Sequence, residues 1–464
     1  MKGLGGTYRN GSRGAPLEVA RVAIERGVHL GFELEAYVEF GRTVEVKTFG
    51  REVESVTVAE PQGLGVRALR EGRMGYAFSA DLSSDGLDRV LTEAVSMASA
   101  TDPDPHVDLA SDPAAPYPQI EGLWQAGVAA TSVEEKIELA LRAESAALSR
   151  PDIEAVEESV YADSESRIAI ASTAGVAAEA EQTFCYLYVV AHAKREGDRQ
   201  SGLGLSSGRQ PSALQPEEAG GEAAEKARVL LGARPCPTGS YVVVLDREVV
   251  AALLSSIVPA LSAEAVQKGR SVFAGKLGDK VASSAFTLVD DGLVGEGMAT
   301  SPFDGEGVPQ QSTLLLDQGV LKSYLHSSYT ARRAGAGTRS TGNASRASYR
   351  ALPAVRSTNL VIPAGEASLD TIFIRVGDGL YVEGVSGLHS GVNAISGEIS
   401  VGVTGRLISG GELGMPVREV TVAADFSHLL GSVSEIGRDA RWIPLYGSAF
   451  VPSVVVRDMA VSGT

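Results

Sequence analysis

The sequence predicts an α+β protein. Its N-terminal domain packs helices on an antiparallel meander, in a helix-plus-meander unit that occurs twice as a candidate duplication, and its C-terminal domain is β-rich around a buried helix. Three observations carry this. Hydrophobic periodicity switches from helical to strictly alternating between Pro16–Gly27 and Phe32–Phe40. Short strand-like runs then recur, punctuated by many of the 53 glycines, while aromatic residues supply only 6%. The longest uncharged apolar run, Val249 to Ala263, is broken by Pro259 and three serines, which suits a buried helix and is too short to span a bilayer.

Taking the elements in order, Leu17, Ala20, Ala23 and Ile24 share one helical face over Pro16–Gly27, and Gly27 can end it. Phe32, Leu34, Ala36, Val38 and Phe40 alternate with Glu33, Glu35, Tyr37 and Glu39, which predicts a strand with one face in water. Runs at Thr43–Phe49, Val53–Val58, Leu64–Leu69 and Met74–Ser79 complete an antiparallel meander, separated by Gly41, Gly50, Pro61–Gly63 and Glu71–Gly72. A helix over Asp85–Ala100 places Leu87, Val90, Leu91, Ala94 and Met97 on one face. Ser132 and Glu135 form a capping box for the next helix, which carries Ile137, Leu141 and Leu148 and stops at Arg150–Pro151. Strands are expected at Ala155–Tyr161, Arg167–Ser172, Ala177–Ala193 and Gly202–Leu205, then a helix over Gln215–Leu231. Gly232–Gly239, with Pro235 and Pro237, marks the domain boundary. Residues 1–235 are expected to form the N-terminal domain, with sub-units of about 1–110 and 111–235, and 236–464 the C-terminal domain. The latter opens with a strand at Tyr241–Leu245 and an apolar helix from Glu248 to about Lys268, followed by many short strands.

At 464 residues the chain has room for two or three domains of roughly 150 residues. Its 41 basic and 58 acidic residues leave a net charge of −17. Such a surface repels phosphate backbones, so no nucleic-acid partner is expected. Neither is a membrane span. The N-terminus MKGLGGTYRNGSRGAPLE has scattered positive charge and no apolar run behind it, so no secretory signal is expected and the cytoplasm is the default location. Cys185 and Cys236 belong to no CxxC and no Cys/His cluster, and read as reduced, partly buried thiols.

The six histidines stand far apart and form no HExxH-like pair, which excludes a local zinc-binding helix. Phosphate cradles of the GxxxxGK[ST] type are absent as well. Gly204-Leu-Ser-Ser-Gly208 matches G-x-S-x-G around Ser206, but a nucleophile elbow needs a helix directly after it, and Arg209, Gln210 and Pro211 follow. A glycine turn is the expectation there. Asp290-Asp291 and Asp304 with Glu306 read as turn residues and solvated charges.

Several strings nevertheless stand out together. They are 63–83 (GLGVRALREGRMGYAFSADLS), Gly269-Arg-Ser-Val-Phe273, Val289-Asp-Asp-Gly292 and Ser301-Pro-Phe-Asp-Gly-Glu-Gly307. Further along come Ser327-Ser-Tyr-Thr-Ala-Arg-Arg333, Ser340-Thr-Gly-Asn343, His389-Ser-Gly-Val-Asn-Ala-Ile-Ser-Gly397 and the closing 452–463. In this order they resemble the TldD/PmbA family of peptidase subunits, over nearly the whole chain.

The resemblance implies a cytosolic metallopeptidase built from two related chains. One, TldD-like, carries a His-Glu-x-x-x-His helix and a later cysteine; imidazoles and thiolate hold zinc, which polarises the carbonyl, and the glutamate takes a proton. Here Ser255 and Ala260 stand where the histidines would be and Ser256 where the glutamate would be, and no cysteine follows Cys236. The chain therefore looks like the TldE (PmbA) type, with no catalytic residue and no metal of its own. Zinc is expected only in a TldD-like catalytic partner, and the shared substrate is an unfolded peptide. A homodimer is a further expectation. Arg332, Arg333, His389, Ser390 and Asn393 fall in the matched strings and are candidates for a shared cavity or subunit contact; the other reading makes them turn residues and surface charges. The family has also carried the label modulator of DNA gyrase, so a regulatory protein-binding module with no proteolytic role is the alternative function.

Overall fold

The computed structural model describes residues 15–111 and 116–464. Residues 1–14, on which the reading of the N-terminus rests, lie outside them. Helix α1 (Pro16–Gly27) starts on a proline, whose missing N–H is not needed in a first turn. Strand β1 (Glu33–Phe49) is a single strand where the sequence suggested two. Its partner β5 (Ile153–Ser172) pairs with it without interruption from Glu35↔Ser172 to Thr48↔Ser159. The Gly41 N–H, on the other side, bonds to the Pro61 carbonyl at 2.8 Å. A continuous neighbour thus overrides a local breaker, and the strands expected at Ala155–Tyr161 and Arg167–Ser172 merge into β5 for the same reason.

On the far side of β1, β2 (Glu52–Ala59) pairs with its C-terminal half and β3 (Gln62–Arg70) with its N-terminal half. β4 (Arg73–Ser79) extends the sheet beyond β3, and α2 (Ser84–Ala100), capped by Ser83, covers both. The short helix α3 (Gly127–Ala130) precedes α4 (Val133–Leu148), which begins with the capping box expected at Ser132 and Glu135. β6 (Ala177–Arg195), β7 (Asp198–Gly208) and helix α5 (Pro216–Val229) complete the second unit. Both units share one seven-stranded antiparallel sheet of order β4-β3-β1-β5-β6-β7, with β2 beside β1. The layout is close to palindromic: each unit leads with a helix and a long central strand and closes with a helix over its outer strands.

Glycine and alanine bring these helices in close. A Cβ on Gly75 of β4 would strike the α2 backbone at Ala94 and Ala98, and one on Gly202 or Gly204 of β7 would strike the α5 carbonyls of Ala223 and Ala219. Met97, expected on the buried face of α2, is 50% exposed, and Ala98 is buried instead. On α4 the most buried positions are Lys136, Ala140, Ala143, Glu144 and Ala147, with Ile137, Leu141 and Leu148 at their flanks. Lys136 is only 1% exposed and pairs with Asp163 at 2.6 Å, and the Tyr161 hydroxyl donates to the same carboxylate at 2.7 Å. The G-x-S-x-G match has a packing cause: Gly204 admits α5, and Ser206 lies inside antiparallel β7, where its Oγ accepts the Gln215 N–H at 2.9 Å.

The C-terminal part begins with β8 (Gly239–Leu245) and α6 (Arg247–Ile257). The apolar helix expected to reach Lys268 is divided into α6, a 3-10 turn over Val258–Leu261 and α7 (Ala263–Gln267). Pro259 lacks the N–H that would continue α6, and Ser262 caps the new start through the Ala265 N–H at 3.1 Å. Strands β9 (Leu288–Asp291), β10 (Ser312–Asp317) and β11 (Val320–Leu321) follow. Next come helix α8 (Ser328–Ala334), the short pair β12 (Ala344–Ser345) and β13 (Ala354–Val355), and β14 (Asn359–Val361). Helix α9 (Leu369–Val376), β15 (Gly379–Ser386), helix α10 (Leu388–Gly391), β16 (Glu398–Ser409) and β17 (Glu412–Asp425) come after them. Helix α11 (Phe426–Gly431), β18 (Val433–Ile436), β19 (Arg441–Ile443), β20 (Ser448–Val451) and β21 (Val454–Ser462) end the chain.

The order β17-β16-β15-β8-β21 closes on itself through β21–β17 pairing, and a second sheet runs β11-β10-β9-β14-β20-β19. α6 is buried in the largest core, between these two sheets. No helix of the described residues is long and apolar enough to cross a membrane.

Replacing Gly204 by valine should destabilise the chain by on the order of 3 kcal/mol, since neither backbone can yield. Ser206→Ala should cost about 1 kcal/mol or less, the value of one hydrogen bond. Urea unfolding of both variants checks the pair; equal losses would contradict the packing role of the glycine.

Candidate functional site

Helix α6 carries the positions that the family resemblance singles out. Its apolar residues Val249, Val250, Leu253, Leu254 and Ile257 are buried, while Ser255 and Ser256 are half-buried. The Ser255 hydroxyl donates to the Ala252 carbonyl at 2.7 Å, a bond within the helix's own turn. Ala260 sits fully buried in the 3-10 turn and offers no lone pair. A neutral hydroxyl engaged with backbone and a methyl group do not fit a zinc ion, which takes thiolate, imidazole and carboxylate donors. Among the described residues no group of three or more His, Cys, Asp or Glu side chains could hold a metal. The tail after Arg441 contributes Trp442, Pro444 and Ser448 to a cleft of about 290 Å³, whose other walls include Phe184, Arg209 and Met298. The Arg209 guanidinium is committed to the carbonyls of Thr183, Gly295 and Gly297, so it ties β7 to the C-terminal part and leaves no fork free for an anion.

The densest polar cluster lies where the outer face of β1 meets the C-terminal loops. That face was expected in water. Instead Glu35 is 1% and Tyr37 6% exposed, because the loops around Asp304 and Arg346 cover it. Arg67 on β3 donates Nε to Glu35 at 2.8 Å and reaches Glu306 at 3.4 Å. Arg346 pairs with the same Glu35 carboxylate, donates to the carbonyls of Gly305 (2.7 Å) and Ala351 (3.1 Å), and lies over the Tyr37 ring at 4.9 Å. Asp304 and Glu306, expected as solvated charges, are buried as well, since backbone amides converge on them. Asp304 accepts from the N–H groups of Glu306, Val308 and Ala344, and Glu306 from that of Ser328 at 2.9 Å. Asp290 is likewise buried, accepting from the Thr358 N–H (2.6 Å) and the Asn343 side chain (2.6 Å). Asp291 does act as a turn residue, through the Leu293 N–H. A cleft of about 280 Å³ opens beside this cluster, lined by Tyr37, Glu39, Ser301, Asp304, Asn343 and Arg346 among others.

The candidate contact residues fall into two separate places. Arg332, on α8, reaches the loop after α2, bonding the carbonyls of Leu109 (2.6 Å) and Asp108 (3.2 Å) and pairing with the Asp108 carboxylate at 3.2 Å. Exposed Arg333 stands beside Tyr329, whose hydroxyl donates to Asp104 at 2.9 Å. His389, Ser390 and Asn393 are exposed on and after α10, which lies against α6. Asn393 Oδ1 accepts the N–H groups of Ile395 (2.9 Å) and Ser396 (3.2 Å), the bonding of a turn residue. None of the five lines either cleft. Glu35, Arg67 and Arg346 were not singled out from the sequence, although Arg67 lies inside the string 63–83, as Glu306 lies inside 301–307, and Glu35 belongs to the alternating strand.

Burial pushes the Asp290 carboxyl up to about 6, and burial with Glu306 alongside pushes Asp304 up to about 8, against an ordinary 3.8. Between about pH 4 and these raised values, each carboxyl keeps in the folded chain a proton that the unfolded chain releases. Their contribution to stability is therefore complete below about pH 4 and is lost as pH rises through about 6 and about 8. Asp290→Asn should flatten the lower part of that slope, between about pH 4 and 6, in thermal unfolding followed across a pH series; an unchanged slope would show that Asp290 is ionised throughout.

The chain matches three family models in succession. They are PmbA/TldA metallopeptidase domain 1 over residues 34–98, the central domain over 127–231 and the C-terminal domain over 238–463. It is 28% identical to the metalloprotease PmbA of Escherichia coli O157:H7, across 96% of this chain and 98% of that one. To the metalloprotease TldD homolog of Buchnera aphidicola it is 28% identical, across 82% and 80%. Among solved structures it superposes on a putative modulator of a DNA gyrase from Thermotoga maritima with a TM-score of 0.88, at 27% identity, covering 96% of this chain and 99% of that one. TldE from Thermococcus kodakarensis shares the fold at a TM-score of 0.88 and 22% identity, covering 96% and 100%. With three consecutive domains matched over most of its length, the chain belongs to the PmbA/TldD metallopeptidase family.

Proposed function

We propose that the chain is a TldE/PmbA-like, non-catalytic subunit of a TldD/TldE-type metallopeptidase, acting in proteolysis of unfolded peptides in the cytoplasm. One observation carries the reading: α6 keeps its apolar core face while Ser255, Ser256 and Ala260 occupy the positions where the family pattern has two imidazoles and a carboxylate. Serine 256 has no carboxylate to take a proton from water, and the tail after Arg441 has no thiol. Zinc and the hydrolytic step are assigned to a TldD-like partner. In this reading residues 1–235 and 236–464 are the two domains of the subunit. Exposed His389, Ser390 and Asn393, beside α6, and Arg332 and Arg333, on α8, are the residues assigned to the shared cavity or the subunit contact.

The purified chain should contain no stoichiometric zinc by elemental analysis and should leave an unfolded peptide uncut. Cleavage should appear on mixing with a TldD-like subunit. Stoichiometric zinc together with cleavage by the chain alone would overturn the assignment.

A further inference from the structure

The cleft of about 280 Å³ between the N-terminal sheet and the C-terminal loops has no role in the subunit assignment. One wall is the outer sheet face, with Tyr37 and Glu39 of β1, Ser166 of β5 and Gln182 of β6; residues 299–305, 342–346 and 356–358 form the other. Five charged side chains line it, and three of them are spent. Asp304 accepts the backbone amides of Glu306, Val308 and Ala344. Arg346 is divided between Glu35 and the carbonyls of Gly305 and Ala351, and Glu181 pairs with Arg167 at 3.4 Å. Glu39 and Arg356 remain, on opposite walls. One oxygen of Glu39 accepts the Tyr349 N–H at 2.9 Å, and the other meets no partner among the described residues. Burial holds this carboxyl above the usual carboxylate range, as expected of an acid with no cation beside it. Arg356 is exposed, and its guanidinium has no partner among the described residues. It belongs to a segregated stretch: between Asp317 and Glu366 the chain carries seven Lys and Arg residues and no carboxylate, against a net charge of −17 overall. Most of these cations are accounted for. Arg346 meets Glu35, Arg332 meets Asp108, Lys322 meets Asp317, Arg333 stands beside Tyr329 and Arg350 lies over the Tyr349 ring. Of the two left over, Arg339 and Arg356, only Arg356 lines the cleft.

We propose that this cleft binds a short zwitterionic peptide, with its α-carboxylate on Arg356 and its α-ammonium on Glu39. The planar guanidinium fork matches a carboxylate in two parallel hydrogen bonds. A phosphate or a dicarboxylate would set its second negative charge toward Glu39, and a polyamine would set a positive one toward Arg356, so one charge of each sign is what the two walls select. The volume is at the lower end for small-ligand sites and leaves room for about two or three residues. Ser166, Gln182 and Ser357 can hydrogen-bond the amides between the termini, and Ile168 and Phe303 supply apolar surface for small side chains. An internal stretch of polypeptide offers neither terminal charge. The cleft therefore selects fragments with both ends free, the class of molecule that peptide-bond hydrolysis releases, and lies apart from the α6 positions.

Isothermal titration calorimetry of the full chain with trialanine should show one site per chain. N-acetyl-trialanine and trialanine amide each lack one terminal charge and should bind at least about 10-fold more weakly, the loss expected for one charge-assisted contact. Arg356→Met should weaken trialanine by a similar factor and should no longer distinguish the free acid from the amide. Glu39→Gln keeps an acceptor for the Tyr349 N–H and should no longer distinguish the free amine from the acetylated form. Arg356 is exposed, so circular dichroism of Arg356→Met should report an unchanged fold, and the blocked peptides test the same contacts on the unaltered chain. No binding of trialanine, equal affinity for free and blocked peptides, or variants that keep the full preference for free termini would overturn the proposal. The measurement needs neither zinc nor a partner chain, so its failure is distinct from a failure of the subunit assignment.

Discussion

A carboxylate shut away from water between two guanidinium groups fixes how the two ends of this chain meet. Glu35 stands on the outer face of the central strand and bonds both Arg67, its neighbour on β3, and Arg346, which arrives from more than three hundred residues away. A buried charge without partners would be shed or would drag its surroundings open, so any packing of the C-terminal loops that left Glu35 with Arg67 alone would also strand Arg346. Ion pairs of this kind add little net stability over a well-packed apolar contact. Their effect is geometric, since few placements satisfy Glu35, Arg67, Glu306 and Arg346 at once. Tyr76 adds to the same junction by donating to the Tyr349 carbonyl at 2.7 Å, and Glu39 by accepting the Tyr349 N–H at 2.9 Å.

Beneath the same sheet the constraint is distance. The inner face is covered by helices that approach so closely that glycine in the strand and alanine in the helix are the residues that fit, as at Gly75 with Ala94 and Gly204 with Ala219. Side chains this small bury little area each, and the chain makes up for it with length: β1, β5 and β6 have 17, 20 and 19 residues, giving long ladders over which small contacts accumulate. The low aromatic content has this origin on the helical side. The aromatic residues that matter most sit on the other face, at Tyr37, Tyr76 and Tyr349, where a guanidinium needs a ring to lie against.

Local signals were read correctly where local chemistry decides. The capping box at Ser132, the helix over Pro16–Gly27 and the meander strands stand in the structure close to where periodicity placed them. What sequence reading missed was set by distant residues. Gly41 looked like a break, yet β5 carries β1 straight through it. The alternation of Glu33, Glu35, Tyr37 and Glu39 does mark one polar face, but periodicity cannot distinguish a face that meets water from one that meets Arg346. Asp304 is a turn residue as expected, accepting the Glu306 and Val308 N–H groups, but it, Asp290 and Glu306 are buried and not solvated: an acid among glycines looks exposed until the amides and arginines that enclose it are in place. At α6 the side-chain chemistry of Ser255, Ser256 and Ala260 is legible in the letters themselves, while the division of the helix at Pro259 shows only in the fold.

The two faces of α6 separate residues that hold the core from residues that do not. Val249, Val250, Leu253, Leu254 and Ile257 belong to the largest core, wedged between the closed five-strand sheet and the sheet around β9 and β14, and losing any of them would open a cavity there. Ser255 and Ser256 contribute nothing to that packing; one bonds back into its own helix, and both are half-buried. Substitution on that side changes ligand chemistry at little cost to the core. Ala260 differs, being fully enclosed beside Pro259 with its carbonyl bonded by Ser271 at 2.5 Å. An imidazole at that position would need volume that is now filled, so a histidine introduced there would meet steric resistance before it met a metal.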